Sequence, residues 1–122
     1  MKTPNISTSY KTIVEKQTAN LQSGYSITLT IDAIMGKPER LIVEKNSYGP
    51  TTIDSFGDDD IDSLLMVEGD ALLKMADKFQ ARDDKMLLKR LEEHFAPYGE
   101  QAYHKIRTFL EKKEIPFKKG KH

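Results

Sequence analysis

Between Tyr25 and Asp32 the chain alternates without a fault: Tyr25, Ile27, Leu29 and Ile31 are apolar, and Ser26, Thr28, Thr30 and Asp32 between them are polar. A period of two puts each set on its own side of a pleated strand, so the segment reads as a strand with one buried face. Upstream, Tyr10 to Thr18 carries the β-branched Thr12, Ile13, Val14 and Thr18 with charged residues between them, a strand composition, and Asn20 to Gly24 supplies its turn. Downstream, Gly36, Lys37 and Pro38 hold turn chemistry. Arg40 to Lys45, centred on Leu41, Ile42 and Val43, is the next strand, antiparallel to its neighbour because the connection is short. Asn46 to Pro50 turns again, and Thr51 to Phe56 is a short fourth candidate.

The period then changes. Over residues 58–67 two patterns compete: Ile61, Leu64, Leu65 and Met66 make a helical stripe, whereas Ile61, Ser63, Leu65 and Val67 make a strand face. Past Gly69, with Asp70 as the expected N-cap, Leu72, Leu73, Met75, Ala76 and Phe79 recur at helical spacing. Asp83 or Asp84 caps a second helix with Met86, Leu87, Leu88, Leu91 and Phe95 on its apolar stripe, leaving Lys85, Lys89, Arg90, Glu92 and Glu93 toward water. A third opens at Gly99, with Ala102, Tyr103, Ile106, Phe109 and Leu110 on one face, and stops at Ile115 and Pro116.

Strands followed by helices predict an α+β fold, an antiparallel meander of three to five strands in the N-terminal half packed against two or three C-terminal helices. At 122 residues the chain makes a single domain, 1–122, able to bury roughly two-thirds of its unfolded surface. Residues 1–9, polar and without a sustained period, are expected to be a mobile lead-in or a short edge strand, and the basic tail 117–122 to be mobile.

The chain has no cysteine, which removes disulfides, thiolate nucleophiles and Cys-ligated metals at once and suits a reducing compartment, so a cytoplasmic location is expected. Its longest apolar run, Leu64 to Val67, is too short to span a bilayer, and the first ten residues lack the regions of a signal peptide. Nineteen basic and nineteen acidic side chains cancel, yet they are unevenly spread. Asp54 to Asp70 holds seven acids and no base (−7), and Lys105 to His122 holds seven bases against two acids (+5).

No grouping of residues matches the spacing that a catalytic mechanism requires. His94 and His104 fall on different predicted helices with no motif joining them, no serine lies in a nucleophile motif, and the glycines are dispersed among turns. The adjacent pairs Glu92–Glu93 and Asp83–Asp84 diverge by about 100° on a helix and cannot converge on a substrate. The chain therefore reads as a non-enzyme without cofactor. The acidic run offers Asp58, Asp60 and Asp62 at the first three alternating positions of an EF-hand loop, but the turn glycine position holds Ser63 and the bidentate glutamate position holds Gly69.

Two functions lead, with an enzyme whose site follows no motif ranked third. The first is a small protein–protein interaction protein of the inhibitor, immunity or adaptor type, docking on a partner with a basic surface through Asp54, Asp58, Asp59, Asp60 and Asp62. The second is a nucleic-acid-binding accessory or regulatory protein using Lys105, Arg107, Lys112, Lys113, Lys118 and Lys119, with Tyr103, Phe109 and Phe117 nearby. Because the acidic run lacks the strongest EF-hand ligand, millimolar calcium or magnesium should leave the melting temperature unchanged in a salt-matched thermal melt. A specific site at a hundredfold excess over Kd would instead add about 2.7 kcal/mol and shift the melt by several degrees.

Overall fold

A computed structural model describes residues 6–17, 24–48 and 64–120. Among these residues five strands pair antiparallel in chain order: β1 Ile6–Gln17, β2 Gly24–Ile34, β3 Lys37–Tyr48, β4 Leu64–Glu68 and β5 Lys118–Gly120. Between β4 and β5 the chain makes three helices, α1 Asp70–Lys78, α2 Asp84–Phe95 and α3 Ala102–Lys112, with a 3-10 segment Ala96–Gln101 joining the last two. This is the expected α+β meander. Of the two patterns over residues 58–67, the strand holds from Leu64 onward; the rest of that stretch, and the fourth candidate Thr51 to Phe56, lie outside the described residues.

The alternation in β2 becomes the floor of the core. Ile27, Leu29, Ile31 and Ala33 are fully buried, as are their same-face neighbours Leu41 and Val43 on β3 and Leu65 and Val67 on β4. On β1 the register shifts between Thr12 and Val14, and Ile13 is the extra residue. This bulge lets two consecutive apolar residues work inward: Ile13 is buried in the core and Val14 packs against it. The two ends of the domain are less bare than their composition suggests, since Ile6 to Ser9 begins β1 and Lys118 to Gly120 forms β5.

The β2–β3 hairpin turns at Met35 and Gly36, whose φ angles of 53° and 82° are both positive. Two left-handed residues in succession match the twist of the flanking strands, which is why a two-residue turn fits there. The carbonyl of Gly36 accepts from the backbone N–H of Asp84 (3.1 Å), tying the hairpin to the start of α2.

The caps correct one expectation. Asp70 is the first helical residue of α1, and its N-cap is Gly69, at φ 60° with no side-chain cap bond. The chain leaves β4 and enters the helix at once, which demands a left-handed residue that glycine adopts freely; the Asp70 carboxylate still lies in the first turn, where the helix dipole favours it. Asp83 caps α2, its Oδ1 accepting from Met86 N–H at 2.8 Å. Asp84 is instead buried and accepts from Ser9 Oγ on β1 (3.1 Å). The third helix begins at Ala102 rather than at Gly99, because Gly99 takes φ 59° and breaks the helical path within the 3-10 segment.

All three helices bury their predicted stripes on the same side of the sheet: Leu72, Met75 and Ala76 from α1, Leu87, Leu88, Leu91 and Phe95 from α2, and Ala102, Tyr103, Ile106 and Leu110 from α3. Phe79, Phe95 and Phe109 meet where the helices converge, with ring centroids 5.1 to 6.0 Å apart. Among the described residues no helix is long and apolar enough to cross a membrane. Leu91 has no exposed surface and Lys89 is exposed. Chemical denaturation should therefore show Leu91→Ala losing roughly 2 to 5 kcal/mol and Lys89→Ala nearly nothing; a loss under about 1 kcal/mol for Leu91→Ala would contradict this packing.

Candidate functional site

Because the helices cover one face, the even-numbered residues of β2 from Ser26, of β3 from Arg40 and of β4 form a second face that lies outside the core cluster; Pro38, past the register shift, pairs with Ala33 and is buried. Its side chains fall in rows set by the strand register. One row runs Thr8, Asp32, Arg40, Glu68; the next runs Tyr10, Thr30, Ile42, Met66, Lys118; a third runs Thr12, Thr28, Glu44, Leu64. Ile42, Leu64 and Met66 are half-buried, and Tyr10 is 74% exposed. Ile6 and Ile34, paired across β1 and β2, extend the apolar surface toward the hairpin, where Met35 stands 86% exposed.

Charges on this face are neutralised in place. Asp32 accepts from Thr8 Oγ1 (2.8 Å) and from Arg40 Nη2 and Nε (2.6 and 3.0 Å). The Thr8 hydrogen bond and then the Arg40 guanidinium favour its ionised form, so its carboxyl titrates below the ordinary 3.8 despite some burial that opposes them. From the next row along, Lys118 Nζ reaches Glu68 Oε1 at 3.2 Å, so β5 brings a cation to the end of this row. Thr12 and Thr28 hydroxyls share a 3.0 Å hydrogen bond one row further along.

The residues singled out from sequence are placed as follows. Asp54, Asp58, Asp59, Asp60 and Asp62 lie outside the described residues. The basic set is spread over several surfaces. On α3, Lys105 and Lys112 are seven residues apart and share a side, whereas Arg107 is about 200° round from Lys105. Arg107 Nη2 lies 3.1 Å from His104 Nδ1, and Lys105 Nζ lies 5.3 Å from the Tyr98 ring centre. Lys113 follows the helix, and the successive Lys118 and Lys119 of β5 point to opposite faces of the sheet. Of the nearby aromatics, Tyr103 is buried and Phe109 and Phe117 pack against the core, so none of the three is a free stacking platform.

Sequence reasoning missed the open face, although a signal was present. The runs Leu41–Ile42–Val43 and Leu64–Leu65–Met66–Val67 are apolar at both parities, and a strand with one wet face has no need of apolar residues at every position.

Two further places carry unusual groups. At the end of the core near Gly24, the buried Lys45 holds its ammonium 4.9 Å from the Tyr103 ring centre, and burial together with the Glu100 charge raises the Tyr25 hydroxyl above its usual 10.0. A pocket of about 250 Å³ lies where β4, β5 and the start of α1 meet, lined by Met66, Ala71, Pro116, Phe117 and the Glu68–Lys118 pair. Its one carboxylate is engaged by a lysine, and no histidine or hydroxyl nucleophile lines it. Among the described residues no three His, Cys, Asp or Glu side chains are grouped to hold a metal ion. No family model, curated protein or solved structure matches the chain.

A carboxylate whose folded pKa is depressed contributes stability above its unfolded pKa and loses it as pH falls through the folded value. Asp32 should therefore stabilise the protein at about pH 6, by an amount within the ~0–1 kcal/mol range of partly exposed pairs, and not at about pH 2. Thermal melts of wild type and Asp32→Asn across that range should converge in acid. Parallel curves would show that the Asp32 charge is not coupled to folding.

Proposed function

We propose that the chain is a small non-enzymatic interaction protein, of the inhibitor, immunity or adaptor kind, that docks on another protein through the open face of its sheet. The observation that carries this reading is the face itself: Tyr10, Ile42, Leu64 and Met66 present apolar surface among charges already paired with one another. Covering such a surface removes apolar area from water without stranding an unpaired ion, the condition under which a polar interface is favourable. A partner with a basic surface would also feel the acidic run between Asp54 and Asp62, whose contribution is to association rate more than to affinity.

The protein reading is preferred over nucleic acid because the six basic residues occupy different sides of α3 and both faces of β5, whereas phosphate binding needs cations gathered along one track. The absence of cysteine suits a cytoplasmic setting within this proposal.

A photo-cross-linking residue placed at Tyr10, on the open face, and at Lys74, exposed on α1, tests the assignment in nuclease-treated host lysate. The Tyr10 position should form a discrete protein adduct and the Lys74 position should not. Equal labelling from both positions, or a Tyr10 adduct that disappears with nuclease, would refute docking on protein through this face.

A further inference from the structure

The order of side chains across the open face selects an occupant. At the level where Asp32, Arg40 and Glu68 are register partners, the charge runs negative, positive, negative from β2 to β4. Lys118 of β5 closes the row with a positive head group 3.2 Å from Glu68. One level along, Ile42 and Met66 are paired on the adjacent central strands β3 and β4.

We propose that this face packs on the same face of a second copy, about a two-fold axis parallel to the strands and over the seam between β3 and β4. The proposal rests on reading the face as a docking surface. Such an axis lays β3 on β4 and β2 on β5 of the other copy and leaves the level along each strand unchanged. A row of four alternating charges becomes its own complement when reversed end to end. Arg40 therefore lies opposite Glu68, and Asp32 opposite the head group of Lys118, each contact occurring twice by symmetry.

The alternatives are disfavoured by the same row. Moving the axis over β3 sets Arg40 against Arg40 and Asp32 against Glu68; moving it over β4 sets Glu68 against itself and Arg40 against Lys118. Like-charge juxtaposition at an interface is costly, so the row excludes an axis over a strand, and among the seams that between β3 and β4 is the one that also brings Ile42 to Met66. Beside it, Ile42 of each copy meets Met66 of the other. Sheets stacked face to face lie about 10 Å apart, a gap that two apolar side chains reaching from opposite sides fill. The poorest match is at Glu44, which lies opposite Leu64 of the second copy at one end of the contact. Because β4 and β5 are only five and three residues long, the area covered is small, and the dimer should dissociate on dilution.

Sedimentation equilibrium over about a hundredfold range of concentration should show a monomer–dimer equilibrium. Met66→Glu changes an outward, half-buried position, so it should keep the melting profile and weaken association by about tenfold or more. Lys118→Glu leaves the apolar contact alone and turns its facing pair with Asp32 into two like charges, and it should weaken association too. The cysteine-free chain permits a direct distance test: Met66→Cys should be joined between copies by a short bismaleimide, and Lys74→Cys should not. A chain monomeric at every concentration, or a dimer indifferent to both charge variants, overturns the proposal. Should the chain stay monomeric while the Tyr10 position still captures a different protein, self-pairing falls and the docking function stands.

Discussion

The one-sided burial of β2 is the constraint on which the rest of the structure depends. Ile27, Leu29, Ile31 and Ala33 have no exposed surface; on the β3 side Leu41 and Val43 are buried with them, and β1 adds Ile13 and Val14 through its bulge. Slipping β2 by one residue would turn Ser26, Thr28, Thr30 and Asp32 into the core, so the register of this strand is strongly specified. Once that face is defined, the helices have one place to go. Their stripes meet the sheet where Leu41, Val43, Leu65 and Val67 continue the floor laid by β2.

The edges show how the fold accommodates departures from that pattern. At β1 a bulge admits Ile13 and Val14 together, and beyond it Lys11 and Ser9 turn toward α2, where they meet Glu92 at 2.7 Å and Asp84 at 3.1 Å. These contacts join the first strand to a helix more than seventy residues later. At the other edge β5 is only three residues long, and one of them, Lys118, completes the charge row of the open face. A short, lysine-bearing edge is a poor template for unplanned strand addition.

On and beside the sheet, Asp32 is engaged by Thr8 and Arg40, Glu68 by Lys118 and Glu92 by Lys11. A catalytic site requires the opposite, groups held poised and unspent toward a substrate. Paired charges interspersed with apolar side chains on an uncovered sheet are the features on which the proposed docking role and the proposed self-pairing rest.

The sequence by itself determined the parts governed by short-range periodicity. The alternation of β2, the 3.6-residue stripes of all three helices and a cap at Asp83 or Asp84 are local consequences of side-chain spacing and backbone hydrogen-bonding need. The α+β class follows from the order of those periods. What only the tertiary structure decided were choices between locally equivalent options. Leu64 to Val67 is apolar at every position and suits helix or strand until β3 offers Leu41 and Val43 as partners. The N-cap moved from Asp70 to Gly69 because the chain must turn sharply off β4, and Lys118 to Gly120 became a strand only because β4 had a free edge beside it. The charge row Asp32, Arg40, Glu68, Lys118 spans 87 positions of sequence, so no local pattern could reveal it; strand register, a long-range property, brings Asp32, Arg40 and Glu68 to one level, and the Lys118 head group reaches Glu68 from the next.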